Sequence, residues 1–482
     1  MEATEGPVMV IAGAGSGKTR VLTYRIAYLM SQKGVDPFNI LSLTFTNKAA
    51  REMKERIGQI VGASEAKNIW MGTFHSVFAR ILRAEGGKLG YPSNYTIYDA
   101  EDSKKTINQV IKSLGLDKDL YKTNKVARRI GSFKNGLITP REYFQSPDLQ
   151  EQDSSARMPQ LGEVFNAYNE KCFRAGAMDF DDILLNTYLL LRKHPDVLAK
   201  YQDRFRYILV DEYQDTNHAQ YLIVKALANR FQNICVVGDD AQSIYAFRGA
   251  NIQNILNYQR DYDEVQVYKL EQNYRSTKNI VGAANSLIQK NRDQLHKEVW
   301  TSNDQGEHIH LHKLVSDNDE GAFVARSIWE EHQEKQRSFD DFAILYRTNA
   351  QSRALEDALR KKNIPYRIYG GLSFYQRKEV KDLLAYLRLV INPQDEEAFR
   401  RVINYPKRGL GDTTVEKLTI KADQQESNLW EISENLELYP DLKINRGAQQ
   451  KLTDFVTKIH SYQAQARKED AYAVAQQVAK GS

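Results

Sequence analysis

A glycine-rich stretch near the start of the chain has the composition of a phosphate-binding loop. Residues 12–19 read AGAGSGKT and follow the apolar run of residues 8–11. A strand that ends in a glycine-rich turn and enters a helix points several backbone N–H groups at one spot, where the helix dipole also favours an anion. Lys18 would then reach the terminal phosphates of a nucleotide, and Thr19 would ligate Mg²⁺. The usual signature has glycine where this chain has Ala12, and the competing interpretation is a glycine-rich turn without a ligand.

A pair of carboxylates forms the second candidate site. Residues 207–215 read YILVDEYQD, so Asp211 and Glu212 follow directly after an apolar strand. Adjacent carboxylates are costly to bury unless Mg²⁺ and a reacting water use them. Asp211 would hold Mg²⁺, and Glu212 would orient and deprotonate the attacking water. The competing interpretation is a solvated loop, but together with the phosphate-binding loop the pair predicts nucleotide hydrolysis.

Two weaker signals follow the next apolar runs. Gln242 comes shortly after residues 234–238, where it would sense a γ-phosphate or position water. Tyr274 and Arg275 follow residues 267–270 and offer an aromatic face for a base and a guanidinium for phosphate charge. Polar groups after parallel strands collect at one edge of a sheet, where ligands bind.

The elements that position these residues alternate between strands and helices. Apolar strand-like runs with helical segments between them occupy residues 8–11, 40–45, 69–72, 207–210, 234–238 and 267–270. This alternation predicts a parallel sheet with crossover helices. Residues 95–174 interrupt the pattern with helical, Lys- and Arg-rich sequence and a polar stretch, 146–155, that we predict to be a loop. We interpret this interval as an inserted helical subdomain.

A second α/β series begins after residue 276. Residues 308–314, 342–346 and 366–369 are predicted strands, and from about residue 377 the pattern is helical, with Leu383, Leu387 and Val390 at helical spacing. About three strands precede the helical region, so the second sheet is incomplete. The predicted fold class is α/β, with two parallel-sheet domains.

Composition bounds the class of protein. The chain has 482 residues, enough for about three or four domains. It carries 41% hydrophobic and 27% charged residues and a net charge of +5, so a polyanionic partner has to be argued from local patches. Two distant cysteines indicate neither disulfides nor a metal site, which favours a reducing cytosol. No apolar run approaches about 18 residues, and we predict no membrane partner.

The ordered set of motifs resembles the UvrD/PcrA/Rep family of superfamily 1 DNA helicases. The similar segments are residues 12–19, 44–50 (TFTNKAA), 72–76 (GTFHS), 211–217, 238–250 and 272–276. The resemblance implies ATP-driven 3′→5′ translocation on single-stranded DNA with duplex unwinding, in DNA repair or replication. It implies the cofactors ATP and Mg²⁺, and as partners single-stranded DNA, single/double-strand junctions and repair or replication proteins. It also implies a cytoplasmic, nucleoid-associated location.

The resemblance also implies a division into domains and a set of nucleotide residues. A first RecA-like ATP-binding domain would span 1–94 and 175–275, the inserted helical subdomain 95–174, an incomplete second RecA-like domain 276–376, and a helical mobile subdomain 377–482. The expected catalytic residues are Lys18, Glu212, Gln242 and Arg275, and the expected metal ligands are Thr19 and Asp211. The expected nucleotide-binding residues are Ala12, Gly13, Ala14, Gly15, Ser16, Gly17, Lys18, Thr19, Arg20, Asp211, Tyr274 and Arg275, with Tyr274 against the adenine.

A DNA track is expected from aromatic platforms and backbone contacts. The expected DNA-binding residues are Phe45, Asn47, Lys48, Thr73, Phe74, His75, Phe180, Tyr245, Phe247, Arg248, Arg408, Gly409 and Gly411. Phe247 is favoured because it lies in a loop with little else to bury, although relatives usually carry tryptophan there. For Phe45 and Phe74 the competing interpretation is a place in the core. For the turn at 406–414, which resembles a helix–hairpin–helix duplex contact, it is a helix-capping loop.

Two departures from the family pattern bear on activity. The glutamine-containing adenine motif that precedes the phosphate-binding loop in the family is missing here. The late motifs that supply a second arginine to the γ-phosphate are missing as well. We therefore expect a chain truncated at both ends that binds ATP weakly and hydrolyses it poorly. The alternative is an ATP- and DNA-binding module without turnover. Whether a nuclease domain follows in the full gene stays open.

Overall fold

The fold divides into two units. The computed structural model describes residues 1–291, 294–295, 297–370 and 374–481, without the side chain of Arg248. Unit 1 contains Met1–Gly306 and Ala385–Ser482, and unit 2 contains Glu307–Leu384. Residues 276–306 therefore group with unit 1, although the sequence assigns them to the second domain. The four-part division stays a prediction.

A six-stranded parallel sheet organises unit 1. Its strands, with a separate two-stranded pair of β4 and β5, are β1 (Val8–Ala12), β2 (Ile40–Thr44), β3 (Trp70–Thr73), β4 (Thr96–Ile97), β5 (Ala177–Met178), β6 (Tyr207–Val210), β7 (Ile234–Gly238) and β8 (Gln266–Leu270). The order across the large sheet is β3-β2-β6-β7-β1-β8. Strands β1, β2 and β7 are buried along their whole length, which explains their continuous apolar sequence. The six strands predicted for this sheet are confirmed.

Helices cover the sheet and build the remaining regions. The α-helices are α1 (Lys18–Ser31), α2 (Asn47–Val61), α3 (Ala63–Asn68), α4 (Phe74–Glu85), α5 (Ala100–Ser113), α6 (Thr123–Asn135), α7 (Pro140–Phe144), α8 (Pro147–Ser155), α9 (Leu161–Arg174), α10 (Phe180–Lys193), α11 (Pro195–Arg204), α12 (His218–Ala228), α13 (Gln253–Leu256), α14 (Tyr258–Asp261), α15 (Lys278–Ile288), α16 (Asp317–Lys335), α17 (Ser352–Lys361), α18 (Lys378–Ile391), α19 (Glu396–Val402), α20 (Asp412–Gln424), α21 (Leu429–Glu434), α22 (Arg446–Ala466) and α23 (Ala471–Gly481). Short 3₁₀ turns lie at Pro37–Asn39, Gly86–Leu89, Tyr213–Asp215, Asp240–Gln242, Ala246–Arg248, Phe339–Asp341, Asn349–Gln351, Phe374–Gln376, Leu436–Leu438 and Pro440–Leu442. Along the described residues, none of the helices is long and apolar enough to cross a membrane.

The helical insertion has its own core. Helices α5, α6 and α9 bury Ile107, Ile130, Phe133 and Phe165 together. The loop predicted at 146–155 is wrong, because helix α8 occupies it. Pro at the first helical turn favours that helix, and its Asp153 is buried where it accepts hydrogen bonds from Arg129 (2.8 Å) and Tyr143 (3.2 Å).

Unit 2 has a small helical core. Helices α16 and α17 pack together and bury Ala325, Ile328 and Leu359 with Ile364. The strands predicted at 308–314, 342–346 and 366–369 are wrong, because the described residues form no strand in this unit. A strand needs a neighbour to pair its backbone N–H and C=O groups, and these segments have no such partner among the described residues.

The chain after residue 384 docks on the helical insertion within unit 1. Arg388 on α18 donates from Nη1 to Asp102 Oδ2 (2.8 Å) and from Nε to Asp395 Oδ2 (2.8 Å). Asn392 Nδ2 donates to the carbonyl oxygen of Gly176 (3.1 Å), and Lys171 Nζ lies 2.9 Å from Glu396 Oε2. Because Asp395 is fully buried, its carboxylate depends on the ion pair with Arg388.

Replacing Arg388 with methionine should therefore destabilise unit 1. The substitution leaves Asp102 and Asp395 without their cation, and breaking a buried pair in this way costs about 3–5 kcal/mol. We expect a lower urea midpoint for the first unfolding transition, measured by circular dichroism. Arg446→Met, which removes an exposed arginine on α22, is the control and should leave the midpoint unchanged. Equal midpoints for both variants would contradict the assignment.

Candidate nucleotide site and nucleic-acid groove

The phosphate-binding loop forms between β1 and α1 as its glycines predict. Gly15 and Gly17 have φ angles of 68° and 92°, which side-chain-bearing residues rarely adopt. Ser16 Oγ donates to the carbonyl oxygen of Gly13 (2.7 Å), and α1 begins at Lys18. The loop therefore presents the N-terminus of a long helix at the carboxyl edge of the sheet, where an anion is favoured.

The ammonium group of Lys18 lies at this edge, where it could bind an anionic ligand. Its Nζ is buried and makes no hydrogen bond to the residues that the structure describes. Its nearest partner is Glu212 Oε2 at 3.3 Å, an ion pair at the end of β6. A buried ammonium without a hydrogen bond is costly, and a nucleotide phosphate would satisfy it. The residues present therefore fit a phosphate group.

Asp211 has the chemistry of a Mg²⁺ ligand. It is buried, and one carboxylate oxygen accepts a hydrogen bond from the Glu212 amide (3.0 Å). Burial, with the neighbouring Glu212 charge, raises the pKa of Asp211 to about 7. No group of three or more acidic, His or Cys ligands exists among the described residues, and Mg²⁺ commonly binds through one or two carboxylates with phosphates and water. Asp211 and Thr19 line one cleft and fit that pattern.

Gln214 connects the two acidic strand ends, a role that the sequence does not reveal. Its Nε2 donates to Glu212 Oε2 (2.9 Å), and its Oε1 accepts from the backbone N–H of Asp239 (2.9 Å). The side chain thus bridges the end of β6 to the end of β7. The sequence places Gln214 two residues after Glu212, but the hydrogen bond to Asp239 exists only because the fold brings the end of β7 beside it.

The loops after β7 and β8 lie at the same carboxyl edge of the sheet, which we call the nucleotide edge. Gln242 Nε2 donates to Asp239 Oδ2 (2.6 Å). Asn273, which sequence reasoning did not select, donates from Nδ2 to the carbonyl oxygen of Ala14 (2.6 Å) and accepts from the amide of Arg275 (2.8 Å). Tyr274 donates its amide to the Gly15 carbonyl (3.0 Å) and leaves its ring 66% exposed.

Most of the predicted nucleotide residues therefore meet at one edge. Lys18, Glu212, Gln242 and the 273–275 loop lie along the carboxyl ends of β1, β6, β7 and β8. Arg20 is exposed and lies over the Tyr24 ring at 5.4 Å. Its contact with a nucleotide stays a prediction, as do the roles of the other residues.

An open groove continues from this edge. Its volume is about 1690 Å³, and its lining includes residues of both predicted sites. From the nucleotide set it contains Thr19, Asp211, Glu212 and Gln242, and from the DNA set it contains Phe45, Thr73, Phe74, His75, Phe180, Tyr245 and Phe247. The helical insertion adds Arg128 and Asn135 of α6 to the wall.

Exposed aromatic rings are spaced along the groove. Phe247 is 73% exposed, and its ring centroid lies 6.0 Å from that of Tyr245. Phe180 is exposed as well, and its ring lies 5.5 Å from His75. Burial lowers the pKa of His75, which keeps the ring neutral at physiological pH. Exposed rings beside polar walls suit stacking with unpaired bases.

Phe74 packs in the core, which favours the competing interpretation over base stacking, while a contact with DNA stays a prediction. It is 1% exposed, and its ring packs against Phe78 (6.0 Å between centroids) and Phe45 (5.4 Å). A ring enclosed on both sides has no free face for a base. Phe45 is only partly buried and stays a candidate.

The predicted contacts at two helix starts remain open. Asn47 and Lys48 are exposed at the start of α2, and Lys48 Nζ lies 3.9 Å from Glu52. Thr73 caps α4 by accepting a hydrogen bond from the Ser76 amide (3.3 Å). For Arg248, the side chain lies outside the described part of the chain.

Arg408 stabilises its own turn, and its contact with duplex DNA stays a prediction. Its Nη1 donates to the carbonyl oxygens of Val402 (2.8 Å) and Tyr405 (2.9 Å). The Gly409 amide is likewise engaged by Asn404 Oδ1 (3.0 Å). These donors already make hydrogen bonds within the loop, which favours the helix-capping interpretation for Arg408 and Gly409. Gly411 caps α20, and its contact with DNA stays a prediction.

Comparison with known proteins identifies close relatives. A family model described as the UvrD/REP helicase N-terminal domain matches residues 1–263, and one described as the UvrD-like helicase C-terminal domain matches residues 268–477. The chain is 48% identical over 431 residues to the ATP-dependent DNA helicase PcrA of Staphylococcus aureus strain Mu50. It is 47% identical over 428 residues to PcrA of Staphylococcus epidermidis strain ATCC 35984. Each match covers 89% of this chain, and the chain spans 58% of the length of each relative.

The bridge made by Gln214 can be tested by Gln214→Met. This substitution keeps the volume of the side chain but leaves the buried Asp239 amide unpaired, which costs about 1–3 kcal/mol. We expect a lower urea midpoint and faster hydrogen exchange at the Asp239 amide. Gln59→Met, on the exposed face of α2, is the control. Unchanged exchange at Asp239 would contradict the bridging role.

Proposed function

The chain belongs to the UvrD/REP helicase family, and on that basis we propose that it is the ATP- and DNA-binding part of an ATP-dependent DNA helicase. The observation that carries the proposal is a single groove lined by Lys18's partner Glu212, by Asp211 and by the exposed rings of Phe180 and Phe247. A nucleotide that moves Asp211 or Glu212 would therefore act directly on a DNA strand that is bound by Phe180 and Phe247. The 3′→5′ direction rests on the family likeness.

At the nucleotide edge, Lys18 and Glu212 act as a competing pair. Without phosphate, Lys18 lies 3.3 Å from Glu212. A γ-phosphate attracts Lys18 and frees the Glu212 carboxylate, which Gln214 keeps oriented through its 2.9 Å hydrogen bond. Glu212 then accepts a proton from the attacking water. Thr19 and Asp211 would hold Mg²⁺, which supplies positive charge to the phosphates.

The segment after Glu212 connects the nucleotide edge to the groove wall. Asn217 Nδ2 donates to Asn135 Oδ1 on α6 (2.6 Å), and Asn217 forms a β-bridge with Ala250, just beyond Phe247. The amide of Asn251 donates to the carbonyl oxygen of Thr216 (2.9 Å). A shift at Asp211 and Glu212 is therefore transmitted to both sides of the groove over a few residues.

The proposed partners follow from this geometry. The groove takes single-stranded DNA, with bases on the aromatic rings, and the protein works at single/double-strand junctions in repair or replication. A nucleoid-associated location and contacts with repair or replication proteins belong to the same proposal.

Two substitutions test the nucleotide chemistry. Glu212→Gln should lower ATP turnover by about 10²–10⁴-fold because the general base is lost, while ATP still binds. Lys18→Ala should abolish turnover and weaken ATP binding, because the buried ammonium no longer meets phosphate. Turnover is measured by phosphate release with single-stranded DNA present, and binding by calorimetry.

The control for these variants is Glu55→Gln, at an exposed position on α2. Normal hydrolysis by Glu212→Gln would contradict the base assignment. ATP and DNA binding by the parent chain without any turnover would favour the binding-module alternative.

The DNA track is tested by Phe247→Ala. Removing a stacking platform should weaken binding to an oligothymidine by about 5–150-fold, since stacking is worth about 1–3 kcal/mol per base. Fluorescence anisotropy measures the affinity at fixed salt. Phe38→Ala removes an exposed ring at the opposite edge of the sheet, before β2, and should have no effect. Equal affinity of both variants would assign Phe247 no role in binding.

A further inference from the structure

Lys297 forms a buried ion cluster beside the nucleotide edge. Its side chain is 7% exposed, and its Nζ lies 2.8 Å from Asp239 Oδ1 and 2.5 Å from Asp240 Oδ1. Burial by itself would lower the pKa of Lys297, but the two carboxylates raise it above the ordinary value, so the lysine is charged at neutral pH. Such a cluster fixes geometry because none of its charges can be left unpaired cheaply.

Asp239 passes this restraint to the nucleotide site. Its second carboxylate oxygen accepts the hydrogen bond from Gln242 Nε2 (2.6 Å), and its amide is held by Gln214, which also holds Glu212. Lys297 therefore fixes the carboxylate that orients Gln242.

The residues that follow Lys297 fix the arginine loop from the other side. We call residues 297–301 the strap. The carbonyl oxygen of Trp300 accepts from the Asn273 amide (2.7 Å), and Thr301 Oγ1 donates to the Asn273 carbonyl (2.7 Å). The Val299 side chain lies against Gly13, where an added Cβ would come within 2.7 Å of it. One short segment thus touches the phosphate-binding loop, the Gln242 turn and the Arg275 loop.

We propose that Lys297 is a positioning residue that lets the site distinguish a nucleoside triphosphate from a diphosphate. The proposal rests on the proposed function, because it places Gln242 and Arg275 at the γ-phosphate. The phosphate-binding loop and Lys18 serve both nucleotides, whereas Gln242 and the Arg275 loop act only when a γ-phosphate is present. The strap holds these two elements together, so its loss weakens triphosphate binding selectively.

The competing explanation is that Lys297 only neutralises Asp239 and Asp240. A purely structural lysine would affect both nucleotides equally when it is removed. Selectivity for the γ-phosphate is therefore the informative readout, and it is independent of whether the chain completes a catalytic cycle.

The test uses Lys297→Met in the full chain, with the non-hydrolysable ATP analogue AMPPNP and with ADP, each with Mg²⁺, in calorimetric titrations. We expect AMPPNP affinity to fall about tenfold and ADP affinity to change by less than about twofold. Lys297→Arg, which keeps the charge, should preserve the selectivity. Lys290→Met removes an exposed lysine shortly after α15 and should match the parent chain. An equal loss for both nucleotides, or no loss, would overturn the proposal.

A double-mutant cycle shows whether Lys297 acts through Gln242. In a Gln242→Ala background, Lys297→Met should cause a clearly smaller loss of AMPPNP affinity than in the parent chain, because only the route through the Arg275 loop remains. A full additional tenfold loss would overturn the proposed route.

Hydrogen exchange separates this proposal from the proposed function. In the nucleotide-free chain, Lys297→Met should speed exchange at the amides of Ala241 and Arg275, which bond to Asp239 Oδ1 (3.1 Å) and Asn273 Oδ1 (2.8 Å). Hydrogen exchange in α3, which directly precedes the outermost strand β3 far from Lys297, should not change. If the parent chain binds neither nucleotide, the proposed function fails, and the exchange data still decide the positioning role: unchanged exchange at both amides overturns it.

Discussion

Three carboxylates that directly follow two neighbouring strands are almost completely buried. The structure of the nucleotide edge depends on which groups balance their negative charge. Asp211 follows β6, and Asp239 and Asp240 follow β7. Lys297 neutralises the β7 pair, and Gln214 ties the two strand ends together. Asp211 makes no such ion pair with the described residues, and burial raises the pKa of its carboxyl to about 7. The edge is thus complete except at Asp211 and Lys18, where a metal ion and a phosphate are expected.

The parallel direction of the strands is enough to place the nucleotide residues and the groove at the same edge of the sheet. All the loops that leave the carboxyl ends of parallel strands emerge at one edge, so the segment from Asp211 to Asn217 starts at the nucleotide residues and ends in the groove. The 2.6 Å hydrogen bond from Asn217 to Asn135 extends this path into the helical insertion. In the proposed function, ATP and DNA would both contact this short segment, so their coupling would need no distant relay.

Sequence patterns predicted the large sheet well, but they were wrong at residues 146–155 and at the three strands of unit 2. Long-range partners were predicted poorly. The six strands and the phosphate-binding loop were predictable because apolar runs and glycines act through the backbone near them. The roles of Gln214 and Lys297 were not predictable, since each depends on a strand end brought close only by the fold. At Phe74 and Arg408 the surroundings of the side chain act against what its residue type suggests. Their types suit stacking and phosphate binding, but Phe45 and Phe78 enclose the ring, and backbone carbonyls occupy the guanidinium.

The ion pairs at the nucleotide edge differ in how easily a ligand can displace them. Lys297 is held by two buried carboxylates at 2.8 and 2.5 Å, so removing it would strand two charges. Within the described part of the chain, Lys18 has one ion-pair partner at 3.3 Å, and that partner, Glu212, is one-third exposed and accepts a hydrogen bond from Gln214. Separating Lys18 from Glu212 therefore leaves neither group isolated once a phosphate is present. The edge therefore combines one ion pair that a ligand could separate, Lys18 with Glu212, and one that is fixed by two buried carboxylates. In the proposed function, a phosphate would separate the first pair while the second keeps Gln242 in place.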